Sequence, residues 1–381
     1  MNDAALNILL VSPLPPPTSG IGSWTVAVTR EADSRPEIEI NVVDTAVRWR
    51  AAENLASVVR LTGGSLQALR DIRRVRTAIE KYQPDVLHLN TSGSYATIKD
   101  IAILRMAKRL GIGTVIHYHM GFLPEVIRTG GWQWRLIRRA MNLADRVVVL
   151  TGESEQYIRD AAKSVDVLTL PNPVDLGEAT LSEAGEVSSR EPHVVFVGHV
   201  VEAKGVGLLV EACARLGHLN VVLDIIGPVE KNYRVQLETL AASRDGGSWL
   251  EFHGEVDRIE AIKCISESDV LALPSMSEGF PYAVVEAMAC GVPVVASCVG
   301  AIPDMLEWCK EEPCGICVQP GEVDALTAAL SDVLSDTSRR WQLGSLARER
   351  AEMYSAPVVF SQLEDLWRSV ARPGRKELYW D

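Results

Sequence analysis

Twelve short runs of apolar, mostly β-branched residues alternate with helical patterns, and this alternation constrains the fold more than any other feature. Six runs fall in the first half of the chain, at 7–13, 38–44, 85–90, 114–119, 145–151 and 166–171. Six more follow, at 193–200, 220–228, 249–255, 269–275, 292–297 and 315–320. Strands that are apolar along their whole length and separated by helices are typical of parallel sheets covered on both faces. The pattern therefore predicts an α/β chain with two doubly wound, Rossmann-like domains.

A polar stretch, SEAGEVSSREP at 182–192, interrupts the pattern and marks the junction of the two domains. We predict a first domain over 1–172 and a second over 173–354. Residues 355–381 form a C-terminal helix and tail, which we expect to pack back on the first domain. Since ligands bind at the carboxyl ends of strands in such sheets, we expect the site in a cleft that the two domains face.

Composition and charge exclude several classes of protein. The 381 residues are 47% hydrophobic and 23% charged, as in a soluble globular chain. The start, MNDAALNILLVSP, has no basic segment before its short apolar run, so we expect no signal peptide and a cytoplasmic location. An uncharged stretch at 287–303 is interrupted by glycine and proline and does not predict a membrane span. The net charge of −12 argues against nucleic-acid binding.

The cysteines do not predict a metal or redox centre. All seven lie between Cys213 and Cys317, and the C-x2-C formed by Cys314 and Cys317 has no second pair to complete a zinc site. Its context, GICVQP, is that of a strand and not of a thioredoxin-type motif. We therefore expect free thiols and no bound metal, as suits a reducing cytoplasm.

Neither of the two common nucleotide-binding fingerprints is complete. SGIGSW contains Gly20 and Gly22, but position 25 is Thr where G-x-G-x-x-G requires glycine. The P-loop pattern GxxxxGK[ST] does not occur. The sequence therefore does not predict a hydride-transfer enzyme or a P-loop NTPase.

Residues 277–297, SEGFPYAVVEAMACGVPVVAS, carry only two charges, Glu278 and Glu286. A buried carboxylate is costly unless it finds hydrogen bonds, becomes neutral or meets a ligand. Pro281 and Gly291 mark the start and end of a helix, whose N-terminus attracts phosphate. One carboxylate beside a phosphate-binding helix N-terminus and one further along the helix fit a nucleotide sugar, which has a diphosphate in the middle and hydroxyls at both ends. The alternative is that Glu286 is a core carboxylate with its own partner and that Glu278 only begins the helix.

Five segments, read in order, resemble one known family. They are PPPTSGIGSW (15–24), IHYHMG (116–121), PNPVD (171–175), VFVGHVVEAKGVGLLVEA (195–212) and the E-x7-E segment at 277–297. Together they resemble the retaining glycosyltransferases of the GT-B fold in glycosyltransferase family 4, the group 1 glycosyl transferases. The resemblance extends over nearly the whole chain.

The resemblance implies a donor site. Glu286 would hold the ribose hydroxyls of the nucleotide, Glu278 would hold hydroxyls of the donor sugar, and Lys204 would stabilise the leaving diphosphate. The other donor-binding positions that it implies are Gly198, His199, Gly279, Phe280 and Pro281, with Gly20 and Gly22 of a glycine-rich loop in the first domain.

The resemblance also concerns two histidines, His119 and His199. His119, followed by Met120 and Gly121 as in the family loop, would lie beside the reacting carbon of the sugar. We expect His117, two residues before it, to point to the opposite face. His199 stands where many relatives have Arg, which is a bidentate phosphate ligand. Diphosphate binding is then weaker, or another cation assists it.

The resemblance also implies the reaction. It is transfer of a sugar from a nucleotide diphosphate sugar, UDP rather than GDP, with retention of anomeric configuration and with no cofactor. The chain has no Asp-x-Asp, the pattern by which the other major glycosyltransferase fold holds its metal ion. No nucleophilic carboxylate is evident near His119, so we expect front-face substitution assisted by the leaving phosphate.

The first domain is expected to receive the acceptor, and it is the more basic half. Residues 1–172 carry 21 Lys and Arg against 17 Asp and Glu, a net charge of +4, so the remainder carries −16. The segment GWQWRLIRRAMN supplies two tryptophans and three arginines: Trp132, Trp134, Arg135, Arg138 and Arg139. Helices with tryptophan and clustered arginine bind anionic lipid at the membrane surface. We therefore predict a saccharide or lipid-linked saccharide acceptor at the cytoplasmic face of the membrane. The pathway would be the synthesis of a cell-surface polysaccharide or glycolipid. Alternatively, the helix packs its tryptophans on its own sheet.

Two other functions stay open. A GT-B-fold glycoside phosphorylase would make a sugar phosphate from a disaccharide and phosphate, without a nucleotide sugar. A non-catalytic nucleotide-binding subunit of a polysaccharide assembly would account for His199, but the presence of Lys204, Glu278 and Glu286 argues against it.

Overall fold

The computed structural model describes residues 5–17, 19–48, 57–93, 96–177, 179 and 191–372, and only the backbone of 57–65. The chain divides into two compact units, one made of 1–173 with 356–381 and the other of 174–355. In the described ranges each unit has one six-stranded sheet with parallel strand pairs. The prediction of two doubly wound α/β domains is confirmed.

The first unit contains a sheet with helices on both faces. Its strands are β1 (Leu6–Ser12), β2 (Ile38–Asp44), β3 (Val86–Thr91), β4 (Gly113–Tyr118), β5 (Arg146–Val149) and β6 (Val167–Thr169). Its helices are α1 (Gly20–Ala32), α2 (Ser57–Tyr82), α3 (Thr97–Arg109), α4 (Leu123–Thr129), α5 (Trp132–Met141), α6 (Gly152–Ala161) and the C-terminal helix (Ala356–Val370). The strand order is β2-β1-β3-β4-β5-β6 and reverses between β1 and β3. Ligands of doubly wound sheets bind at the carboxyl ends of strands beside such a reversal.

Two clusters of buried apolar side chains cover the two faces of this sheet. Leu9 and Leu87 belong to one cluster, whereas Leu10 and Trp24 belong to the other, because successive side chains of a strand point to opposite faces. The C-terminal helix joins the second cluster through Trp367 and its apolar neighbours. All residues of β3 and β4 are buried, which explains why their sequences are apolar runs without alternation.

The second unit repeats this architecture. Its strands are β7 (His193–Val197), β8 (Val222–Ile226), β9 (Leu250–Gly254), β10 (Val270–Leu273), β11 (Val294–Ser297) and β12 (Ile316–Val318). Its helices are α7 (Val206–Arg215), α8 (Lys231–Ala241), α9 (Arg258–Ser266), α10 (Tyr282–Cys290), α11 (Ile302–Met305), α12 (Val323–Ser335) and α13 (Thr337–Ala351). The strand order is β12-β11-β10-β7-β8-β9, so it reverses between β7 and β10.

Each of the twelve predicted runs overlaps a strand, although several strands are shorter than predicted and β1, β3 and β4 are shifted by one residue. The run 145–151 yields only β5, because the chain turns at its end to begin α6. Thr151 is the N-cap residue of that helix, and its Oγ1 accepts a hydrogen bond from Ser154 N at 3.0 Å. A residue whose side chain caps a helix leaves the strand before it.

Candidate functional site

In the second unit, two of the predicted residues meet beside the reversal of strand order. Lys204 follows β7 and Glu278 follows β10, and Lys204 Nζ donates to Glu278 Oε1 at 2.7 Å. Ser275 Oγ donates to the same oxygen at 2.6 Å. The side chain of Glu278 is 7% exposed and that of Lys204 is 28% exposed, so the pair opens to solvent on the lysine side. Within the described ranges Oε2 of Glu278 has no hydrogen-bond partner and can accept from a ligand hydroxyl.

The loop that carries Lys204 is held against the exit of β10. Lys204 ends a short 3-10 turn, in which Ala203 O accepts from Met276 N at 2.9 Å. Gly205 follows with a φ of 68°, and a Cβ at this position would lie 2.0 Å from Pro274 O. Only glycine suits a position that is both left-handed and this crowded. The backbone therefore fixes the position of the lysine.

The loop after β11 packs on the backbone of Glu278 from the other side. Gly300 has a φ of 57°, and a Cβ there would lie 2.3 Å from Glu278 O. Ala301 N donates to Gly279 O at 3.0 Å. The turn signal GAIP, in which glycine is followed closely by proline, predicts a loop at this place but not its contact with Glu278.

Helix α10 begins one residue later than predicted and ends as predicted. Pro281 is its N-cap residue in an extended conformation, with φ −76° and ψ 110°, and does not lie in the first turn. Gly291 ends the helix with a φ of 72°. The buried ring of Phe280 packs edge-to-face on Tyr282 and Tyr354, each at 5.8 Å between centroids. These contacts fix the loop between Glu278 and the helix.

Glu286 has a partner that the sequence did not reveal. It is buried on α10, and Arg258 Nε, at the start of α9, donates to its Oε1 at 2.8 Å. Burial raises the pKa of Glu286, and the charge and hydrogen bond of Arg258 oppose that rise. Arg258 also donates to the carbonyl of Asp175. The pairing supports the alternative in which Glu286 is a core carboxylate with its own partner, while ribose binding stays a prediction.

Gly198 and His199 directly follow β7. Gly198 N donates to Ile226 O at 2.9 Å. Gly227 packs so closely that a Cβ on it would lie 2.0 Å from Gly198 O. The side chain of His199 is exposed. Its role beside a diphosphate stays a prediction.

In the first unit, a chain of polar contacts places His119 at the carboxyl ends of β1, β3 and β4. Its Nε2 lies 3.0 Å from Asn90 Oδ1, and Asn90 Nδ2 donates to Ser12 Oγ at 2.9 Å. Ser12 Oγ lies 2.6 Å from Thr25 Oγ1 on α1. Asn90 and Ser12 are not among the predicted site residues, although each is a polar residue at the end of an apolar run. Both lie at the carboxyl edge of the sheet, where ligands of doubly wound sheets bind.

The prediction that His117 and His119 point to opposite faces is wrong. Their ring centroids are 4.0 Å apart, because residues two apart along an extended chain point to the same face, and His119 N continues the pairing with β3 by donating to Thr91 O at 3.0 Å. Burial and the charge of His88 lower the pKa of His119 to about 3. His119 is therefore neutral at physiological pH and offers a hydrogen bond, not a positive charge.

Gly20 and Gly22 lie in the first turn of α1 and not in a loop, which corrects the prediction. Ser19 caps this helix, and its Oγ accepts from Gly22 N at 3.0 Å. A Cβ on Gly22 would lie 3.1 Å from that Oγ and 3.4 Å from Pro15 Cδ. Glycine therefore lets the preceding chain lie close to the start of the helix.

Helix α5 has one buried face and one basic face. Trp134 is 8% exposed and packs in the core, as the alternative expected, whereas Trp132 is 52% exposed. The three predicted arginines are exposed and, with two neighbours, line a shallow groove of about 420 Å³: Arg135, Arg138, Arg139, Asn142 and Leu143. Among the described residues, no helix has the length and apolar character needed to cross a membrane.

Comparison with characterised proteins gives partial matches over most of the chain. Sulfoquinovosyl transferase SQD2 of Arabidopsis thaliana is 26% identical over 321 residues, which are 80% of this chain and 58% of that protein. MMP alpha-(1->4)-mannosyltransferase of Mycolicibacterium hassiacum is 29% identical over 263 residues, 65% of this chain and 62% of that protein. The chain thus matches less than two thirds of either relative's length. D-inositol 3-phosphate glycosyltransferase of Pseudarthrobacter chlorophenolicus is 24% identical over 393 residues, 91% of this chain and 90% of that protein.

Solved structures share the fold. Sucrose-phosphate synthase from Thermosynechococcus elongatus has a TM-score of 0.75 at 20% identity and covers 95% of this chain and 98% of its own. Anabaena HepE in complex with UDP and glucose has a TM-score of 0.68 at 18% identity, covering 96% of this chain and 100% of its own.

Two family models cover consecutive parts of the sequence. Residues 20–178 match the model described as Glycosyltransferase Family 4, and residues 178–350 match the model described as Glycosyl transferases group 1. Together they span both units of the structure. The chain therefore belongs to the group 1 glycosyl transferases of glycosyltransferase family 4, and it has their two-domain α/β fold.

Proposed function

We propose that this protein transfers a sugar from a UDP-sugar to a saccharide or lipid-linked saccharide, with retention of anomeric configuration and without a metal ion. The observation that carries the proposal is the Lys204–Glu278 pair beside the strand reversal of the second unit. Family membership supports sugar transfer. The structures of HepE with UDP and with UDP-glucose support a uridine donor.

Lys204 is suited to stabilise the leaving group. As the bond from the anomeric carbon to the diphosphate breaks, negative charge grows on the phosphate oxygens, and a fixed ammonium favours that state. The N-terminus of α10 adds its dipole. Oε1 of Glu278 accepts hydrogen bonds from Lys204 and Ser275, and its Oε2 accepts one from a hydroxyl of the donor sugar.

His119 is suited to a neutral hydrogen bond with the donor sugar. Its low pKa keeps the imidazole uncharged, so it does not repel the positive charge that builds on the anomeric carbon. Asn90 orients the ring through Nε2. In front-face substitution the acceptor oxygen bonds to the anomeric carbon on the side of the departing phosphate, which takes the acceptor's proton.

The donor is identified first by thermal unfolding in EDTA with UDP, GDP or ADP. We expect UDP to raise the melting temperature, since a ligand at 100 times its Kd stabilises the folded state by about 2.7 kcal/mol. Lys204→Met is expected to reduce this shift, whereas Lys263→Met, at a lysine 70% exposed on α9, is the matched control. A shift with GDP alone, or equal shifts in both variants, contradicts the proposed donor site.

Turnover then separates the transferase from its alternatives. With EDTA present, the transferase consumes the UDP-sugar and forms a glycoside of retained configuration. A phosphorylase is active with inorganic phosphate and no nucleotide, and a non-catalytic subunit binds nucleotide without turnover. The proposal is contradicted by activity with phosphate alone, by nucleotide binding without turnover, or by loss of activity in EDTA that Mg²⁺ restores.

A lipid-linked acceptor requires contact with a membrane, and the groove on α5 is the proposed contact. We expect the protein to float with liposomes that contain anionic lipid and not with neutral ones, because three exposed arginines attract anionic headgroups. The triple variant Arg135→Glu, Arg138→Glu, Arg139→Glu should stay at the bottom of the gradient. The buried face of α5 is unchanged in it, so melting temperature serves as the folding control. Equal flotation of both proteins contradicts this contact.

A further inference from the structure

Four side chains that the proposed reaction does not use share one face of the second sheet. His193 begins β7, Asp224 lies in the middle of β8, and Glu251 and His253 lie on β9. Asp224 pairs with Glu251 in the strand register, and His193 pairs with Val222, two residues before Asp224. Alternation with a period of two places His193, Asp224 and Glu251 on the same face. The β8–β9 register shifts after Ile225, and it is the contact of His253 with Asp224 that places His253 on this face as well.

Their donor atoms converge on the carboxylate of Asp224. His253 Nε2 lies 2.7 Å from Asp224 Oδ1, and His193 Nδ1 lies 2.6 Å from Oδ2. One ligand atom each from Asp224, Glu251 and His253 lies within 4.8 Å of the others. Each carboxylate oxygen of Asp224 thus faces a different imidazole.

The surroundings favour a built site over a chance surface cluster. Asp224 is 8% exposed, and its strand neighbours Leu223 and Ile225 are fully buried. A carboxylate in such a strand is costly unless it is paired. The side chains of His193 and His253 are 29% and 34% exposed, and Glu251 is exposed, so an ion can reach the cluster from solvent.

We propose that Asp224, Glu251 and His253 bind a divalent transition-metal ion, expected to be Zn²⁺, and that His193 is a positioning residue. Zinc is bound by imidazole nitrogens and carboxylate oxygens, and an open zinc site has three protein ligands with a water in the fourth position. Imidazole disfavours Mg²⁺, which prefers oxygen ligands and octahedral geometry. The hydrogen bond from His193 to Oδ2 leaves Oδ1 for the ion, as partners of metal ligands commonly do.

Binding requires little rearrangement. Zinc bonds of about 2.0–2.2 Å need only small rotations of the two exposed side chains, Glu251 and His253. The ion replaces the hydrogen bond between His253 and Asp224, and any proton on Nε2 moves to Nδ1 or to solvent. The bound ion would join the edge strand β9 to β8.

Calorimetric titration of untagged, EDTA-treated protein with Zn²⁺ tests the site, and it needs no assumption about the transferase activity. We expect a zinc site that Mg²⁺ does not fill, and a melting temperature that rises with zinc concentration. Glu251→Gln and His253→Gln change exposed side chains and should each lower the affinity at this site at least about tenfold. His218→Ala, at an exposed histidine of the same unit outside the cluster, is the matched control.

His193 is tested by a separate pair of variants. His193→Leu removes the donor to Asp224 and should weaken zinc binding by about 10- to 100-fold, and His193→Asn, which keeps a donor, should recover part of it. Absence of zinc binding shows that the cluster is a hydrogen-bonded group only and overturns the proposal. Binding that Glu251→Gln and His253→Gln leave unchanged places the ion elsewhere, for example at the exposed thiol of Cys309, and also overturns it.

Discussion

Lys204→Met is expected to lower kcat/KM for the donor by about 10²- to 10³-fold, the usual loss when one fixed group that stabilises developing charge is removed. The lysine is held at its place by the contact of its turn with the exit of β10 and by Gly205, so solvent cannot easily replace it. The measurement is steady-state kinetics with the nucleotide sugar that thermal unfolding identifies.

A double variant separates this role from stability. Lys204→Met leaves the carboxylate of Glu278, which is 7% exposed, without its counter-charge, so the single variant is expected to unfold at a lower temperature. Adding Glu278→Gln removes both charges and should restore much of the melting temperature while the enzyme stays inactive. Recovery of activity in the double variant, or a wild-type kcat/KM in Lys204→Met, would exclude Lys204 from leaving-group stabilisation.

Asp100→Asn is expected to remove a large pH dependence from the stability of the first unit. Asp100 is 2% exposed on α3, and its Oδ2 accepts from Thr91 Oγ1 at 2.7 Å. Burial raises the pKa of Asp100 to about 6, although the charge of Lys99 and the Thr91 hydrogen bond oppose the rise. Folding therefore favours the protonated acid.

The sign of the effect follows from proton binding. Between the unfolded pKa of about 3.9 and the folded pKa the native state holds a proton that the unfolded chain has lost, so stability falls as pH rises. Wild type should therefore lose about 2 kcal/mol relative to Asp100→Asn between about pH 4.5 and about pH 7.5. Urea unfolding across this range measures it, with Asp33→Asn as the exposed control in the same unit. Parallel pH profiles for wild type and Asp100→Asn would contradict the buried-acid explanation.

The two glutamates of the E-x7-E segment show which features of the site can be predicted from local sequence. The pattern placed Glu278 in a loop and Glu286 on a helix, and both are so placed. Their partners were not predictable, because Lys204 is 74 residues from Glu278 and Arg258 is 28 residues from Glu286. The basic residue that pairs with each carboxylate is decided by how separate strands and helices pack.

The two histidines at the end of β4 obey strand alternation. Residues two apart share a face, and the rings of His117 and His119 lie together. The two tryptophans of α5 show a limit of local sequence for a helix. Both residues are tryptophan, but they lie on different sides of the helix, so that Trp134 is buried and Trp132 is exposed.

The sequence by itself determined the twelve strands and the two α/β units, because hydrophobic periodicity and glycine or proline signals are properties of neighbouring residues. The family followed from the resemblance of five motif segments. Tertiary structure decided the ion pairs of Glu278 and Glu286, the polar chain from Ser12 to His119 and the cluster around Asp224. The physical reason is that each of these joins strands or loops distant in sequence. Parallel sheet order, which no local pattern encodes, brings those residues to one edge or one face.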